Sequence, residues 1–317
     1  MEIDDGVTVP GASTTPPKPR KALRVALVLV AVTVVGAAAL IGVGRLSNAS
    51  SARGNLDNAI EKLSAAEPGV LQVDNAVRSE ITSALVPAST EALDVSAEAS
   101  SDLNDALAYL DEAVSGLSNG DAVLAAAVRD AVLSRKTMLS EADSVLKVDM
   151  RAGAVLDAAR EAWTLAAEAG TLTVNAATEY NKHTKAGVEA STKASNEATA
   201  KLRAARSLLD TVTAGFPEAD MSPFTSYIDA RLKLLDSSRK IDSTWLAGKV
   251  EDANKLLDAY NAEEKKIVAQ ATALTTTPAG ALADAYETLT KDAIARYFEA
   301  RDAARAADDR VKAAAAQ

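Results

Sequence analysis

Residues 198–216 read ATAKLRAARSLLDTVTAGF. Ala198, Leu202, Ala205, Leu209, Val212 and Phe216 step through this run at intervals of 4, 3, 4, 3 and 4. That spacing lays an apolar stripe along one face of an α-helix, whereas a half-buried strand would alternate strictly. A helix patterned in this way has to bury its stripe against another element, and from about Ser47 onward every segment reads helical with no alternating strand pattern, so the fold class expected is all-α.

The pattern extends outward. Ala253, Leu257, Tyr260, Glu264, Ile267, Ala271 and Leu274 keep the same intervals, with Glu264 as the one polar member. Leu282, Tyr286, Leu289 and Ala293 repeat it. Breakers at Pro68-Gly69, Pro87, Gly116 to Gly120, Gly170, Gly215 to Pro223 and Thr275 to Gly280 divide the chain, leaving long stretches at 121–169, 171–214, 224–274 and 279–316. The expected architecture is an elongated antiparallel bundle of long, partly coiled-coil-like helical hairpins. Near the C-terminus the stripe thins to Ala304, Ala307 and Val311, which predicts an end that frays or projects.

An internal repeat is the most distinctive feature. Residues 110–146 align without gaps on 209–245, with identities that include Leu110/Leu209, Asp111/Asp210, Gly116/Gly215, Asp121/Asp220, Asp130/Asp229, Ala131/Ala230, Asp143/Asp242 and Ser144/Ser243. The match resumes at Leu156-Asp157-Ala158 and Leu257-Asp258-Ala259, and a weaker copy begins at Leu56. The repeat-like units thus start near 56, 110 and 209. Each reads as a helix-turn-helix, with Gly116 and Gly215 at the position just past a helix and Asp121 and Asp220 as caps of the next. Duplicated helical pairs point to a stacked scaffold rather than an enzyme.

Composition agrees. Aromatics are 3% of a chain that is 48% apolar, much of it alanine, so long helices are favoured over a deep core. There is no cysteine, which excludes structural disulfides and a lipid-modified cysteine anchor. Residues 1–45 carry Glu2, Asp4 and Asp5 against Lys18, Arg20, Lys21, Arg24 and Arg45, a net of +2 that leaves −12 for the rest of a chain totalling −10. So acidic a body repels nucleic acid, which needs a basic face.

Residues 23–44, LRVALVLVAVTVVGAAALIGVG, are apolar except for Arg24 at the edge and Thr33. At about 1.5 Å per residue such a run spans a hydrocarbon core of roughly 30 Å. Lys18, Arg20, Lys21 and Arg24 crowd its N-terminal side, so the positive-inside rule places the 1–22 tail in the cytoplasm and 45–317 outside. A cleaved secretory signal is the rival, with small residues near Ser47 to Ala52, but its apolar region is normally about 7–15 residues. Ala38 and Gly42 form a small-xxx-small pair suited to pairing within a membrane, hence to a homo-oligomer. The tail, rich in Pro, Thr and Gly, reads as disordered.

Candidate chemistry is sparse. Gly116-Leu117-Ser118-Asn119-Gly120 matches a nucleophile elbow, but that motif needs a strand-to-helix turn and a His base. His183 is the only histidine and reads as an exposed helix residue, so neither a catalytic triad nor a zinc site follows. No catalytic, cofactor or metal residue is assigned. Phe216, Phe224, Tyr227 and Trp245, with Pro217, gather scarce aromatics near the second repeat turn. They form either a partner-binding patch at a hairpin tip or plugs where helices splay. Trp163 and the Tyr297-Phe298 pair read as bundle core.

The expected function is a non-catalytic, membrane-anchored, extracytoplasmic scaffold or interaction protein of a bacterial envelope, touching the lipid bilayer and an envelope or surface protein. The alternative is a sensor ectodomain that signals through a separate cytoplasmic partner. In layout (short basic tail, one span, long helical body) the chain is similar to TolA-type colicin-import proteins, though no motif matches and no residue is carried over.

Overall fold

The computed structural model describes residues 51–316. They form α1 (Ser51–Val77), α2 (Leu85–Ala113), a 3-10 turn (Val114–Gly116), α3 (Asn119–Tyr180), α4 (Lys185–Gly215), α5 (Ser222–Leu246), α6 (Val250–Ala273) and α7 (Pro278–Ala315). The all-α class holds, with no strand among the described residues. The 1–22 tail with Lys18, Arg20 and Lys21, and the apolar run 23–44 with Arg24, Ala38 and Gly42, lie outside the described residues. Among the described residues no helix is long and apolar enough to cross a membrane.

Two compact units result: 51–154 together with 286–316, and 155–285. In the first, α1, α2, the start of α3 and most of α7 share one core. Polar pairs between helices give their directions. Asn55 meets Glu112 and Lys62 meets Asp102, so α1 and α2 run antiparallel. Arg129 with Asp111 and Lys136 with Asn104 oppose α2 and α3, while Arg296 with Glu141 and Arg310 with Asp130 oppose α3 and α7. The unit is an up-down-up-down four-helix bundle. Its buried residues recur at intervals of three and four, as with Leu56, Ala59, Leu63, Ala66, Val70 and Val73 along α1. Alanine at Ala59 and Ala66 of this stripe lets neighbouring helices approach closely.

The second unit repeats the scheme with the remainder of α3, then α4, α5 and α6. Lys201 meets Glu168 across α3 and α4, Thr192 meets Asp242 across α4 and α5, and Arg231 meets Glu264 across α5 and α6. All six stripe positions of 198–216 are buried, from Ala198 to Phe216, none more than 2% exposed. Glu264, the polar member of the α6 stripe, is there because Arg231 Nη1 donates to both its carboxylate oxygens at 2.7 and 2.6 Å.

Several boundaries differ from the sequence expectation. Pro68 and Gly69 lie inside α1, and a Cβ on Gly69 would sit 3.0 Å from the Ala99 Cβ, so the pair marks a close approach to α2 rather than a break. The break falls at 78–84, and Pro87 sits in the first turn of α2, where its missing N–H costs no helical bond. Gly170 is internal to α3. The expected 171–214 helix is interrupted at 181–184, where His183 takes a left-handed φ of 50° and the Thr184 side chain accepts from the Gly187 N–H to start α4. His183 is exposed as expected, but in a connector rather than on a helix. The expected 224–274 helix is interrupted at 247–249. There Gly248, at φ 76°, donates its N–H to the Trp245 carbonyl and ends α5.

Gly248 faces open space, so only its backbone conformation demands glycine. Gly248→Ala is expected to lower stability by about 1 kcal/mol in chemical denaturation, and Gly248→Asn by less. Equal stability of all three would refute the αL requirement.

Gly116 and Gly215 behave differently from the expected caps, since neither has a positive φ. A Cβ would sit 2.7 Å from Ala52 Cβ at Gly116 and 2.5 Å from Val155 Cγ1 at Gly215. Each glycine is a point of close approach to another helix. Asp121 is likewise not the cap of α3. Ser118 is, accepting from the Asp121 N–H and donating its hydroxyl to the Asp121 carboxylate, which holds that carboxyl below its ordinary range. Asp220 precedes α5 and accepts from both the N–H and the hydroxyl of Ser222. The C-terminal end does not project: Ala304, Ala307 and Val311 are buried in the first bundle's core. Leu289 is 42% exposed, and Thr290 takes its place in the stripe, satisfying its hydroxyl on the Tyr286 carbonyl.

Candidate functional site

The aromatic residues do not form one patch. Phe216 and Phe224 are 0% and 2% exposed, at the α4–α5 turn. Trp163 of α3 packs edge-on to Phe224 at 5.8 Å and tilted on Tyr227 at 6.1 Å. Tyr227 is half-buried, and its ring carries the Arg231 guanidinium 5.6 Å from the centroid. Trp245 lies at the far end of α5, packed on Tyr180, Val188, Ile241 and Ala253. Of the two readings, the plug describes Phe216 and Phe224, and the helix separates Trp245 from both. Tyr297 is fully buried in the first bundle, with Phe298 packed edge-on beside it.

What the structure does bring together is a set of buried charges. In the first bundle Arg135 of α3, 2% exposed, donates from Nε to Glu67 of α1 and from both Nη atoms to Asp308 of α7. Burial opposes its charge, yet the two carboxylates outweigh that and hold the guanidinium above its ordinary value. Asp74 of α1 accepts from the Tyr297 hydroxyl at 2.7 Å and pairs with Arg301 Nε at 2.9 Å and Arg78 Nη1 at 3.2 Å. Burial, then the Asp74 charge, pushes the Tyr297 phenol far up.

Asp149 of α3 is 2% exposed and accepts from the Tyr286 hydroxyl at 2.7 Å. Burial raises its carboxyl from 3.8 to about 6, only partly offset by that hydrogen bond. In the second bundle Asp242, 1% exposed, accepts from Ser191 and Thr192, and burial again pushes the carboxyl up. The Tyr180 hydroxyl is buried with no hydrogen-bond partner, and burial and then the Asp242 charge raise its phenol.

A groove of about 610 Å³ lies between α5 and α6. Ser226, Ala230, Lys233, Ser237 and Lys240 line one wall, and Leu256, Ala259, Tyr260 and Glu263 the other. Among the described residues no group of three or more His, Cys, Asp or Glu is placed to hold a metal ion. Ser118 of the elbow-like Gly116–Gly120 run is engaged as a helix cap.

No family model, curated protein or solved structure matches this chain. Its function must therefore be argued from these residues alone. Arg135, Asp74, Asp149 and Asp242 escaped sequence reading because a charged residue looks like surface. For three of them the available signal was register: Arg135, Asp74 and Asp149 each fall three or four residues from a buried apolar neighbour, as Arg135 does between Ala131 and Met138, whereas Asp242 follows the buried Ile241 directly. The groove had no such signal, because it depends on which faces of two helices meet.

Proposed function

We propose that the chain is a non-catalytic helical scaffold or interaction protein of a bacterial envelope, tethered by residues 23–44 with its bundles outside the cytoplasm. The carrying observation is the uncharged apolar run after Arg24, flanked on its N-terminal side by Lys18, Arg20, Lys21 and Arg24. The helices beyond that run support a structural role. Buried charges such as Arg135 and Asp74 are satisfied within the first bundle, as pinning contacts between helices.

We also read 110–146 and 209–245 as copies of one unit. In support, both segments supply the second and third helices of a four-helix bundle, and Gly116 and Gly215 each abut the first helix of theirs.

The absence of cysteine makes the topology directly testable. Single cysteines are introduced at Thr14 and at the exposed Ser207, and cells stripped of any outer barrier are treated with a membrane-impermeant maleimide. Ser207→Cys is expected to label at once and Thr14→Cys only after permeabilisation. The reverse pattern, or recovery of the full chain free of membranes, overturns the tether.

A further inference from the structure

We infer that Asp242 is a proton-operated switch at one end of the second bundle. It closes that end while its carboxyl holds a proton, and it draws Tyr180 and the end of α3 toward itself when it ionises. The switch goes beyond the scaffold reading and does not rest on it.

The position comes first. Tyr180 is the last residue of α3, Val188 lies in the first turn of α4, Ile241 in the last two turns of α5 and Ala253 in the first turn of α6, and the four pack as one cluster with Trp245 against it. The α3–α4 and α5–α6 connectors therefore share this end. Each turns on one left-handed residue, His183 at φ 50° and Gly248 at φ 76°. Asp242, 1% exposed, reaches from α5 to Ser191 and Thr192 of α4.

Hydrogen counting points to a proton on the carboxyl. The Thr192 hydroxyl lies 3.1 Å from the Val188 carbonyl and 3.0 Å from Asp242 Oδ2, yet it has one hydrogen to give. A carboxyl proton on Oδ2 fills every contact at once. Asp242 then donates to the Thr192 oxygen, Thr192 donates to Val188, and Ser191 donates to Oδ1 at 3.3 Å. Without that proton, either the Val188 or the Asp242 contact is empty.

No cation stands by to hold the ionised form. The titratable groups that feel Asp242 are two phenols, Tyr180 of α3 and Tyr260 of α6. The charged side chains of the surrounding turns pair with one another: Glu179 with Lys182, Glu189 with Lys185, Asp252 with Lys255, Arg231 with Glu264 and Arg239 with Asp236. Lys193, Lys240, Lys249 and Glu251 are exposed, as is His183. Burial therefore sets the balance and raises the carboxyl above its ordinary value. Its contribution to the closed end is full where folded and unfolded chains both hold the proton, and is lost as pH rises through the raised midpoint.

An ionised carboxylate accepts only, and it needs donors. Thr192 has one to turn from Val188. The Tyr180 hydroxyl has another, since it is buried without a partner. The Tyr180 ring packs edge-on to His183 at 6.0 Å and shares its cluster with Trp245. Movement of Tyr180 is thus passed to the α3–α4 connector and to Trp245.

The test follows Trp245 fluorescence against pH in the full chain carrying Trp163→Phe, which leaves a single tryptophan. One step is expected, with its midpoint above the ordinary carboxylate value. Asp242→Asn reproduces the protonated acid, its amide N–H donating to Thr192 and its carbonyl accepting from Ser191. It is expected to fold, to match the parent below the step and to show no step itself. Tyr180→Phe removes only an unpartnered hydroxyl, so it too is expected to fold. Its midpoint should lie higher, because the ionised form has lost a donor, and its change in Trp245 emission should shrink. His183→Asn, which tolerates the left-handed backbone, should leave the step in place.

A parent without a step above about pH 4 overturns the switch. So does a step that persists in Asp242→Asn or vanishes in His183→Asn. An unmoved midpoint in Tyr180→Phe overturns the part assigned to Tyr180. An Asp242→Asn chain that differs from the parent below the step overturns the assignment of the proton.

Discussion

Replacing Arg135 by alanine will destabilise the first bundle by about 3 kcal/mol, among the largest effects of any single polar substitution in the described chain. The guanidinium is 2% exposed and bonds Glu67 Oε2 at 2.8 Å and the two Asp308 oxygens at 2.9 and 3.0 Å, so it ties α3 to α1 and α7 at once. Removing one member of a buried ion group costs about 3–5 kcal/mol, because the partners keep their desolvation penalty and lose its compensation. The lower end applies here. Glu67 and Asp308 keep 16% and 15% side-chain exposure, so water can partly solvate them when the arginine is gone. Trp163 and Trp245 both lie in 155–285, so their fluorescence follows the second bundle, and amide exchange in α1 and α2 is the appropriate readout. Arg135→Met combined with Glu67→Gln and Asp308→Asn should recover most of the loss, since no charge is then left buried alone. A change of under about 1 kcal/mol in Arg135→Ala would show that the triad contributes no more than an exposed ion pair.

The helical class was legible because stripe periodicity survives in almost every helix, and 198–216 was read residue for residue. Helix ends were less legible, because glycine and proline do different things by context. Gly170 and Pro68 sit inside helices whose stripes continue to bury apolar surface past them, and that packing outweighs local propensity. The breaks that were missed, at 181–184 and 247–249, each depend on one residue adopting a left-handed conformation, His183 and Gly248. The aromatics scatter for a different reason. Phe224 and Trp245 are 21 positions apart on one helix, nearly its whole length, so closeness in sequence did not become closeness in space. The buried charges were hidden because their partners come from distant helices: Asp74 meets Tyr297 across 223 positions and Arg135 meets Asp308 across 173. Only the fold brings such pairs together.

Asp149 offers the opposite case, a buried charge whose removal stabilises. The carboxyl is 2% exposed, its hydrogen-bond donor is the Tyr286 hydroxyl, and its folded-state value is raised from 3.8 to about 6. Below about pH 4 both folded and unfolded chains hold the proton, and the carboxyl carries no penalty. Between about 4 and 6 the unfolded chain ionises while the folded one retains its proton, so this group's contribution to stability is lost as pH rises. Above about 6 both are ionised and the full penalty stands. Asp149→Asn is therefore expected to be nearly neutral at pH 4 and stabilising by about 2 kcal/mol at pH 7.5, somewhat less than the raised value alone implies because the new amide N–H groups need acceptors. The Asn carbonyl still accepts from Tyr286, so the contact between α3 and α7 survives. The discriminating measurement is the difference between variant and parent, which cancels the opposite trend from carboxyls held low, such as Glu141 beside Arg296. That difference should grow between pH 4 and 6.5 and then level off. A difference independent of pH would mean that Asp149 is hydrated or paired in solution. A variant destabilised at pH 7.5 would mean that its charge, rather than its hydrogen bond, holds α7 in place.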